Sequence, residues 1–491
     1  MADKRSSYGN ILKATALFGG VRVFQIIIHI IRAKVVAMLI GPAGMGIHNL
    51  LKSTLDTVNH VTGCGLQTSA VRDIAKAYDG GNQERIDVVI TSLRLIVWLT
   101  GLIGVLVVFL GSAPLSYFAF GNYEYSTAFK YLSIIMFATQ LNTGQVALLQ
   151  GTFHYKYLAK SSLIGNILSL LLTIPLYYYL REKGIVPALV IASLITLYFS
   201  WKASRKVTYH YVRLPFSKLF AEGREMLTLG LVLAIGSLIG NLSSYLMNVF
   251  ISHSGSIRDV GLYTAGTTIA NSYIFLVMSS MSTDYVPRLS ALNGDIDAQN
   301  EAINKQTELL IIILLPLLVF FIVFSKEMIL LLYSTEFLVI STMLELFMVG
   351  MLLQAFTWCL SYAVVARGDK KLFLLTEIYN FSISIFLKVY GFYLAGLDGV
   401  GVAFVADYVF ELLLIYIVCH RKYQFRLSTD CLMVVIYSVV ICTITLVSVY
   451  VLSSYWRYVI GIVLLILAFV YSVNELNKRV DLKTAILKFR K

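Results

Sequence analysis

Apolar segments long enough to cross a membrane recur along almost the whole chain, from about residue 11 to about residue 473. Each runs for roughly 18 to 25 residues, which as an α-helix matches a hydrocarbon layer about 30 Å thick. Transmembrane β-strands would be about half as long and would alternate in polarity, so the pattern indicates helices. Of the 491 residues, 58% are hydrophobic and 14% are charged, and the mean hydropathy is +0.77. The sequence therefore predicts an all-α, polytopic membrane protein.

The apolar segments divide into about fourteen predicted transmembrane helices. They lie at residues 12–40, 45–75, 87–112, 126–150, 157–180, 185–201, 226–252, 260–287, 306–325, 338–366, 372–395, 400–419, 431–452 and 457–473.

Basic residues concentrate in the loops on one side of these predicted helices. Roughly 27 Lys and Arg fall on the side that holds both termini and about 5 fall on the other, a bias that predicts cytoplasmic termini. The formal charge of +13 therefore reflects membrane topology, and nucleic acid is not an expected partner. We expect a multi-pass membrane protein with both termini cytoplasmic.

The sequence carries an internal duplication. "GIHN" resembles "GLYT", "AVRDIA" resembles "VPRLSA", "LLQGTFHYKYL" resembles "VVARGDKKLFL", and "GIVPA" resembles "GVGVA", all at an offset of roughly 215 residues. The offset spans six helices, an even number, so the two copies keep one orientation and form a parallel repeat. We predict a six-helix lobe at 1–201, a cytoplasmic linker at 202–225, a second six-helix lobe at 226–420, and two further helices with a basic tail at 421–491.

Neither catalysis nor a cofactor is predicted. The five cysteines are scattered without a CxxC pair, which favours neither disulfides nor a metal site. The predicted outer loops, such as "GPAG" and "AGLDGVG", are too short to build a domain for a large extracytoplasmic substrate. This pattern disfavours a membrane enzyme such as a polymerase or ligase, and the function is expected among the helices.

Polar residues form stripes on the first two predicted helices. The second helix carries one at four-residue steps, formed by His48, Lys52, Asp56 and His60. The first helix carries another at steps of three, four and three, formed by Arg22, Gln25, His29 and Arg32. Each stripe covers one side of its helix. A hairpin about "GPAG" would set Arg32 level with Lys52, His29 with Asp56, and Gln25 with His60.

Two interpretations of these stripes stay open. Charges at membrane depth cost about 2.5 to 3.5 kcal/mol each, so they usually pair or face water. In one interpretation Asp56 pairs with Lys52, His29 or Arg32 and only locks the helices together. In the other, the excess of cations lines a hydrated cavity for an anionic group, to which Arg94 on the third helix would contribute.

Further ionisable residues occur in the second half of the chain. Asp284 and Arg288 are spaced four residues apart, as in a helical ion pair. Asp407 and Glu411 have the same spacing and could share one site, with Lys388 as a possible counter-charge. These groups fit structural pairing or a site for a coupling ion, H⁺ or Na⁺.

Three motifs resemble one family of transporters. "GPAGMG", "GCGLQTSAVRDIAKAYDGGN" and "SAPLSYFAFGNYEY" are similar to segments of Wzx-type polysaccharide flippases, in the multidrug/oligosaccharidyl-lipid/polysaccharide exporter (MOP) superfamily. The resemblance implies a flippase for O-antigen or other lipid-linked oligosaccharides in the bacterial cytoplasmic (inner) membrane. Such a flippase carries undecaprenyl-pyrophosphate-linked units to the periplasmic leaflet by alternating access. The resemblance also implies that Arg22 and Lys52 line the cavity.

The resemblance leaves other functions to be distinguished. A multidrug exporter of the same fold would present acidic and aromatic groups to cationic drugs, and a lipid II flippase would use a cation of the eighth helix. A scaffold among polysaccharide polymerase and assembly proteins would not need Arg22 or Lys52. The excess of membrane cations favours the oligosaccharide flippase.

Overall fold

The computed structural model describes the backbone of residues 2–213, 215–292 and 294–479, and the side chains outside 1–23, 25–27 and a few further positions. Within these ranges the chain is helical almost throughout and contains no strand, so the predicted all-α class is confirmed. The helices are α1 (Ala2–Gly63), α2 (Leu66–Asp79), α3 (Gln83–Leu110), α4 (Ser112–Phe120), α5 (Ser126–Gly151), α6 (Tyr155–Leu180), α7 (Ile185–Ser204), α8 (Phe216–Ser254), α9 (Ile257–Ala291), α10 (Ile296–Val323), α11 (Ser325–Leu332), α12 (Ser341–Ala366), α13 (Lys370–Tyr423), α14 (Thr429–Val451) and α15 (Ser454–Arg479).

The two longest helices each contain a break in helical geometry. In α1 the break is Gly41, with φ 63° and ψ −171°, and in α13 it is Ala395 with Gly396, where Gly396 has φ 57°. Positive φ is easy only for glycine, and Pro42 cannot donate a helical hydrogen bond, so the sequence itself ends the first arm of α1 here. Both breaks fall between predicted spans.

Each predicted span overlaps a helix or one arm of a broken helix. In the part of the chain that the structure describes, nine helical stretches are long and apolar enough to cross a membrane. Four of these nine include a break or a turn of 3₁₀ helix: Ile30–Gly63, Tyr155–Ser204, Thr335–Ala366 and Lys370–Tyr423. The chain is thus a multi-pass membrane protein, and the number fourteen stays a prediction.

A pair of glycine contacts agrees with the internal duplication. A Cβ atom on Gly46 would lie 1.9 Å from the carbonyl oxygen of Ile257, and one on Gly261 would lie 1.9 Å from that of Pro42. Gly261 follows Gly46 by the repeat offset, and Ile257 follows Pro42 by the same offset. The two contacts are therefore reciprocal. No larger side chain fits at either glycine without a shift of the backbone.

By packing, the chain divides into two compact units. The first unit comprises Met1–Gly261 with Leu332–Ser334, and the second comprises Leu262–Leu331 with Thr335–Lys491. Helix α8 packs against α1 to α4 in the first unit, whereas α14 and α15 pack against α10 in the second. The predicted lobes follow the sequence repeat rather than packing, and they stay a prediction.

Helix α15 is held near both of its ends. Near its start, the buried guanidinium of Arg457 lies 3.3 Å from Glu345 Oε1 and donates to Ser325 Oγ at 3.1 Å. At its end, Arg479 Nε lies 2.6 Å from Glu308 Oε2 on α10. These ion pairs fix the last helix against α10 and α12 within the second unit.

Candidate functional site

The second arm of α1, residues 42–63, carries the predicted polar stripe. Lys52 Nζ and Asp56 Oδ2 form an ion pair at 2.5 Å, with about half of each side chain exposed (55% and 49%). His48 lies one turn before this pair and His60 one turn after it, both partly buried. Of the partners considered for Asp56, the structure therefore shows Lys52.

Side chains of two other helices hold this arm in place. Thr54 Oγ1 donates to Tyr245 Oη of α8 at 3.2 Å. Gln140 Nε2 of α5 donates to Asn59 Oδ1 at 2.9 Å. A Cβ atom on Gly63 would lie 2.4 Å from the same Gln140 nitrogen, so a larger residue there would displace the Gln140 amide. The stripe thus sits on a packed helix with a fixed orientation.

Arg32, on the first arm of α1, is bound by neutral oxygen atoms of α6. Its Nη2 donates to Ser169 Oγ at 3.1 Å and to the carbonyl of Asn166 at 3.4 Å, while its Nε is buried without a partner. None of the ion pairs formed within the described ranges includes Arg32. Its positive charge is solvated by dipoles but not neutralised by a carboxylate.

Helix α6 carries a polar face that was not predicted from the sequence. Asn166, Ser169, Thr173 and Tyr177 follow one another at steps of three, four and four, which places them on one side of the helix. Ser169 binds Arg32, and Tyr177 Oη lies 3.4 Å from His48 Nδ1. The periodic spacing of polar residues in an apolar segment was the available signal. This face joins residues of both arms of α1.

Arg94 has a different environment from Arg32. Its guanidinium carbon lies 4.6 Å from the ring centre of Tyr209, in the segment between α7 and α8. Its side chain also lines a cavity of about 460 Å³ together with residues of α5 and α7. These contacts include neither Arg32 nor Lys52, so a shared anion site for the three cations stays a prediction.

Arg22, Gln25 and His29 fall outside the side chains that the structure describes. Their predicted places in the polar surface, and the expected pairing of His29 with Asp56 and of Gln25 with His60, stay predictions.

The second unit contains a buried network of ionisable groups on the two arms of α13. Lys388 Nζ, the expected counter-charge, lies 3.3 Å from Asp407 Oδ2, and both side chains are largely buried. The hydroxyl of Ser384 accepts a hydrogen bond from Lys388 at 2.5 Å and donates one to Asp407 at 2.6 Å. One turn further, Glu411 accepts a hydrogen bond from Asn380 Nδ2 at 3.0 Å. Asp407 is therefore neutralised, whereas Glu411 receives a neutral donor.

Arg288 Nε lies 3.7 Å from Asp284 Oδ2, and 81% of the Asp284 side chain is exposed. Arg288 also donates to Gln306 Oε1 at 2.9 Å. An exposed pair of this kind contributes little to stability. Over the ranges that the structure describes, no group of three or more His, Cys, Asp or Glu side chains could hold a metal ion.

A profile of the family described as polysaccharide biosynthesis protein matches residues 35–342, which is more than half of the chain. The chain belongs to this family. It is also 22% identical over 385 residues to the lipid III flippase of Escherichia coli (strain K12), an alignment that covers 77% of this chain and 90% of the relative.

Two solved structures share the fold. The inward closed conformation of the lipid II flippase MurJ superposes with a TM-score of 0.68 at 14% identity, covering 95% of this chain and 99% of MurJ. The inward-facing conformation of a multidrug resistance MATE transporter of the MOP superfamily superposes with a TM-score of 0.67 at 16% identity, covering 82% of this chain and 94% of that one. The predicted resemblance to polysaccharide flippases is confirmed by the family match and the lipid III flippase relative, and the two solved structures show that the chain shares their fold. These similar proteins are flippases and transporters rather than enzymes.

Proposed function

We propose that this protein is a flippase that carries undecaprenyl-pyrophosphate-linked oligosaccharide repeat units from the cytoplasmic to the periplasmic leaflet of a bacterial inner membrane. The coarser part of this assignment, a flippase for lipid-linked substrates in the MOP superfamily, is supported by the family, the lipid III flippase relative and the MurJ-like fold. The finer part rests on the chemistry of the first unit.

The observation that carries the proposal is the un-neutralised charge of Arg32. Arg32 is partly buried, and a guanidinium at membrane depth without a carboxylate is costly, so its retention is best explained by an anion that binds there during the transport cycle. A pyrophosphate suits this role because a guanidinium binds phosphate oxygens through two parallel, charge-assisted hydrogen bonds. The buried Arg32 Nε has no partner within the described part of the chain and would supply one of these bonds.

Lys52 would give the site a second cation whose availability changes. In the structure Lys52 is paired with Asp56. An arriving pyrophosphate would compete with Asp56 for the ammonium group, and Asp56 would take it back when the substrate leaves. Binding and release by alternating access both require such a moderate affinity, because a head group held too tightly would not be released.

For coupling, we propose that Glu411 takes up H⁺ or Na⁺ in the second unit. Lys388 already neutralises Asp407. Glu411 has Asn380 as a donor but no cation among the described residues, so its carboxylate needs a proton or a metal cation to be neutral. The membrane potential would add to the driving force, by about 2.3 kcal/mol per charge for 100 mV.

The proposal includes a place and partners for the protein. It would lie in the inner membrane with both termini cytoplasmic, as the charge bias predicts. It would release its substrate to the polysaccharide polymerase and assembly proteins on the periplasmic side.

Two alternatives share the fold. A multidrug exporter for cationic compounds is disfavoured by the un-neutralised cation at Arg32, since like charges repel. A lipid II flippase differs in the head group that the pyrophosphate carries, and it is separated by the experiment below.

The deciding experiment is mass analysis of lipid-linked oligosaccharides in a strain that lacks this gene and in the same strain with the gene restored. We expect a completed undecaprenyl-pyrophosphate repeat unit to accumulate without polymer, and restoration to remove it. Restoration with Arg32→Gln should leave the accumulation, whereas Arg421→Gln, an exposed arginine of the second unit, should remove it. Accumulation of lipid II would favour the alternative substrate, and an unchanged lipid pool with new sensitivity to cationic drugs would overturn the proposal.

A further inference from the structure

A second cationic site lies in the first unit, in the cavity of about 460 Å³ between α3, α5 and α7. Its polar and aromatic lining consists of Arg94, Trp98, Gln145, Tyr198 and Trp201, and the remaining lining is aliphatic or glycine. The lining contains no carboxylate. The cavity therefore offers one cation and several aromatic rings in an otherwise apolar wall.

Arg94 is available to an anion in this cavity. No ion pair within the described ranges includes it, and its one ring contact is the face of Tyr209. A second cation stands nearby, because the guanidinium of Arg205 lies 4.2 Å from the ring centre of Trp201. Aromatic faces orient the two guanidinium groups without neutralising them. The local charge is thus positive and favours an anionic ligand.

The depth of the cavity corresponds to a membrane interface. Helix α3 has 28 residues, so at about 1.5 Å per residue it is roughly 12 Å longer than the hydrocarbon layer. If its far end reaches the opposite interface, Arg94 lies only about 6 Å inside the near one, which a long arginine side chain can span. Tyr198 is 52% exposed, as is typical of the aromatic belt at an interface, and Trp98, equally exposed, lies one turn deeper on α3 than Arg94.

We propose that this cavity binds the phosphate head group of one anionic phospholipid, with Arg94 donating to the phosphate oxygens. The acyl chains would lie along the exposed apolar surfaces of α3 and α7, which include Leu102 and Leu194. A bulk phospholipid suits the site better than the lipid-linked oligosaccharide, because a cavity of this size takes one small head group but not several sugars. The inference does not rest on the proposed transport function.

Native mass spectrometry of the full-length protein tests the inference, with phosphatidylglycerol and phosphatidylcholine of identical acyl chains as probes. The wild type should retain phosphatidylglycerol in preference to phosphatidylcholine. Arg94→Gln should weaken phosphatidylglycerol binding roughly fivefold, the effect of one cation at a lipid surface. Arg421→Gln, which removes an equal charge from an exposed position of the second unit, should bind as the wild type does.

Three results would overturn the inference. The first is equal retention of the two lipids by the wild type, and the second is equal phosphatidylglycerol binding by the wild type and Arg94→Gln. The third is recovery, from the purified protein, of a lipid-linked oligosaccharide whose binding Arg94→Gln abolishes, because the site would then belong to the substrate. Arg94→Lys keeps the charge and replaces the glutamine variant in the experiment if that variant does not fold. If Arg94→Lys lost the preference for phosphatidylglycerol, the inference would equally be contradicted.

Discussion

The two units of the molecule hold their buried cations in different ways. In the second unit, Lys388 lies beside Asp407, and Arg457 lies beside Glu345. In the first unit, Arg32 is partly buried, and among the described residues it is bound only by neutral oxygen atoms of α6. Because a buried charge is costly in either unit, a paired cation is explained by structure alone, whereas an unpaired one is best explained by an anion that arrives later.

The largest expected effect concerns the paired cation Arg457. Arg457→Met leaves Glu345 buried without its partner and should lower the free energy of unfolding by about 3–5 kcal/mol. Replacing both residues with methionine removes both buried charges and should restore most of the lost stability. Thermal unfolding in detergent measures the difference. If the double variant is as unstable as the single one, the loss of stability does not come from an unpaired Glu345, and the prediction is wrong.

A smaller effect on stability is expected at Arg32. Arg32→Gln removes two hydrogen bonds to neutral acceptors together with an un-neutralised charge, so the two contributions oppose each other and the net change should stay within about 1 kcal/mol. Transport should nevertheless fall more than tenfold, measured as accumulation of the repeat unit in the complemented strain. A loss of stability as large as that of Arg457→Met would remove the contrast between the two units.

The ion pair of Lys52 with Asp56 should contribute still less. Both side chains are about half exposed, so Asp56→Asn should change the free energy of unfolding by less than about 0.5 kcal/mol. It should also leave Lys52 free, so that undecaprenyl pyrophosphate binds more tightly and dissociates more slowly from the purified protein. Weaker binding by this variant would contradict the proposed exchange of Lys52 between Asp56 and substrate.

The smallest effect is expected at the membrane surface, at Asp369. The ammonium group of Lys422 and the backbone N–H of Leu372 hold the pKa of the Asp369 carboxyl below its usual value. A lowered folded-state pKa gives stability that is present above about pH 3.9, the pKa expected in the unfolded chain, and lost as the pH falls through the folded value. The wild type should therefore unfold at a slightly higher temperature than Asp369→Asn at neutral pH. This difference in unfolding temperature should vanish in acid. A difference that grows in acid would contradict a lowered pKa of Asp369.

The sequence predicted what depends on local spacing and on single residues. Apolar length placed the helices, and Gly41 with Pro42 predicted the break in α1 because one tolerates positive φ and the other lacks a donor. Of the three partners that the sequence offered for Asp56, the structure shows Lys52, which stands four residues before it on the same helix. The pairing of Lys388 with Asp407 could be named as a candidate because both sit in otherwise apolar segments of one helical hairpin.

The contacts that the sequence did not predict join residues far apart in the chain. Arg32 binds Ser169, and Arg457 binds Glu345, each across more than 100 residues. No local period encodes which helix lies beside which, so the polar face of α6 was visible as a pattern but not as the partner of Arg32. Arg94 was grouped with Arg32 and Lys52 by charge alone, and its contacts in the structure are with Tyr209 and the cavity between α3, α5 and α7.

The central claim is that the un-neutralised charge of Arg32 holds the substrate. Its most direct test is the binding of undecaprenyl pyrophosphate to the purified full-length protein. Wild type and Arg32→Gln are compared with a control in which Arg457 and Glu345 are both replaced by methionine. We predict that Arg32→Gln, while folded, binds at least tenfold more weakly and that the control binds as the wild type does. Equal binding by wild type and Arg32→Gln would contradict the account, because the unpaired charge of the first unit would then have no part in holding the substrate.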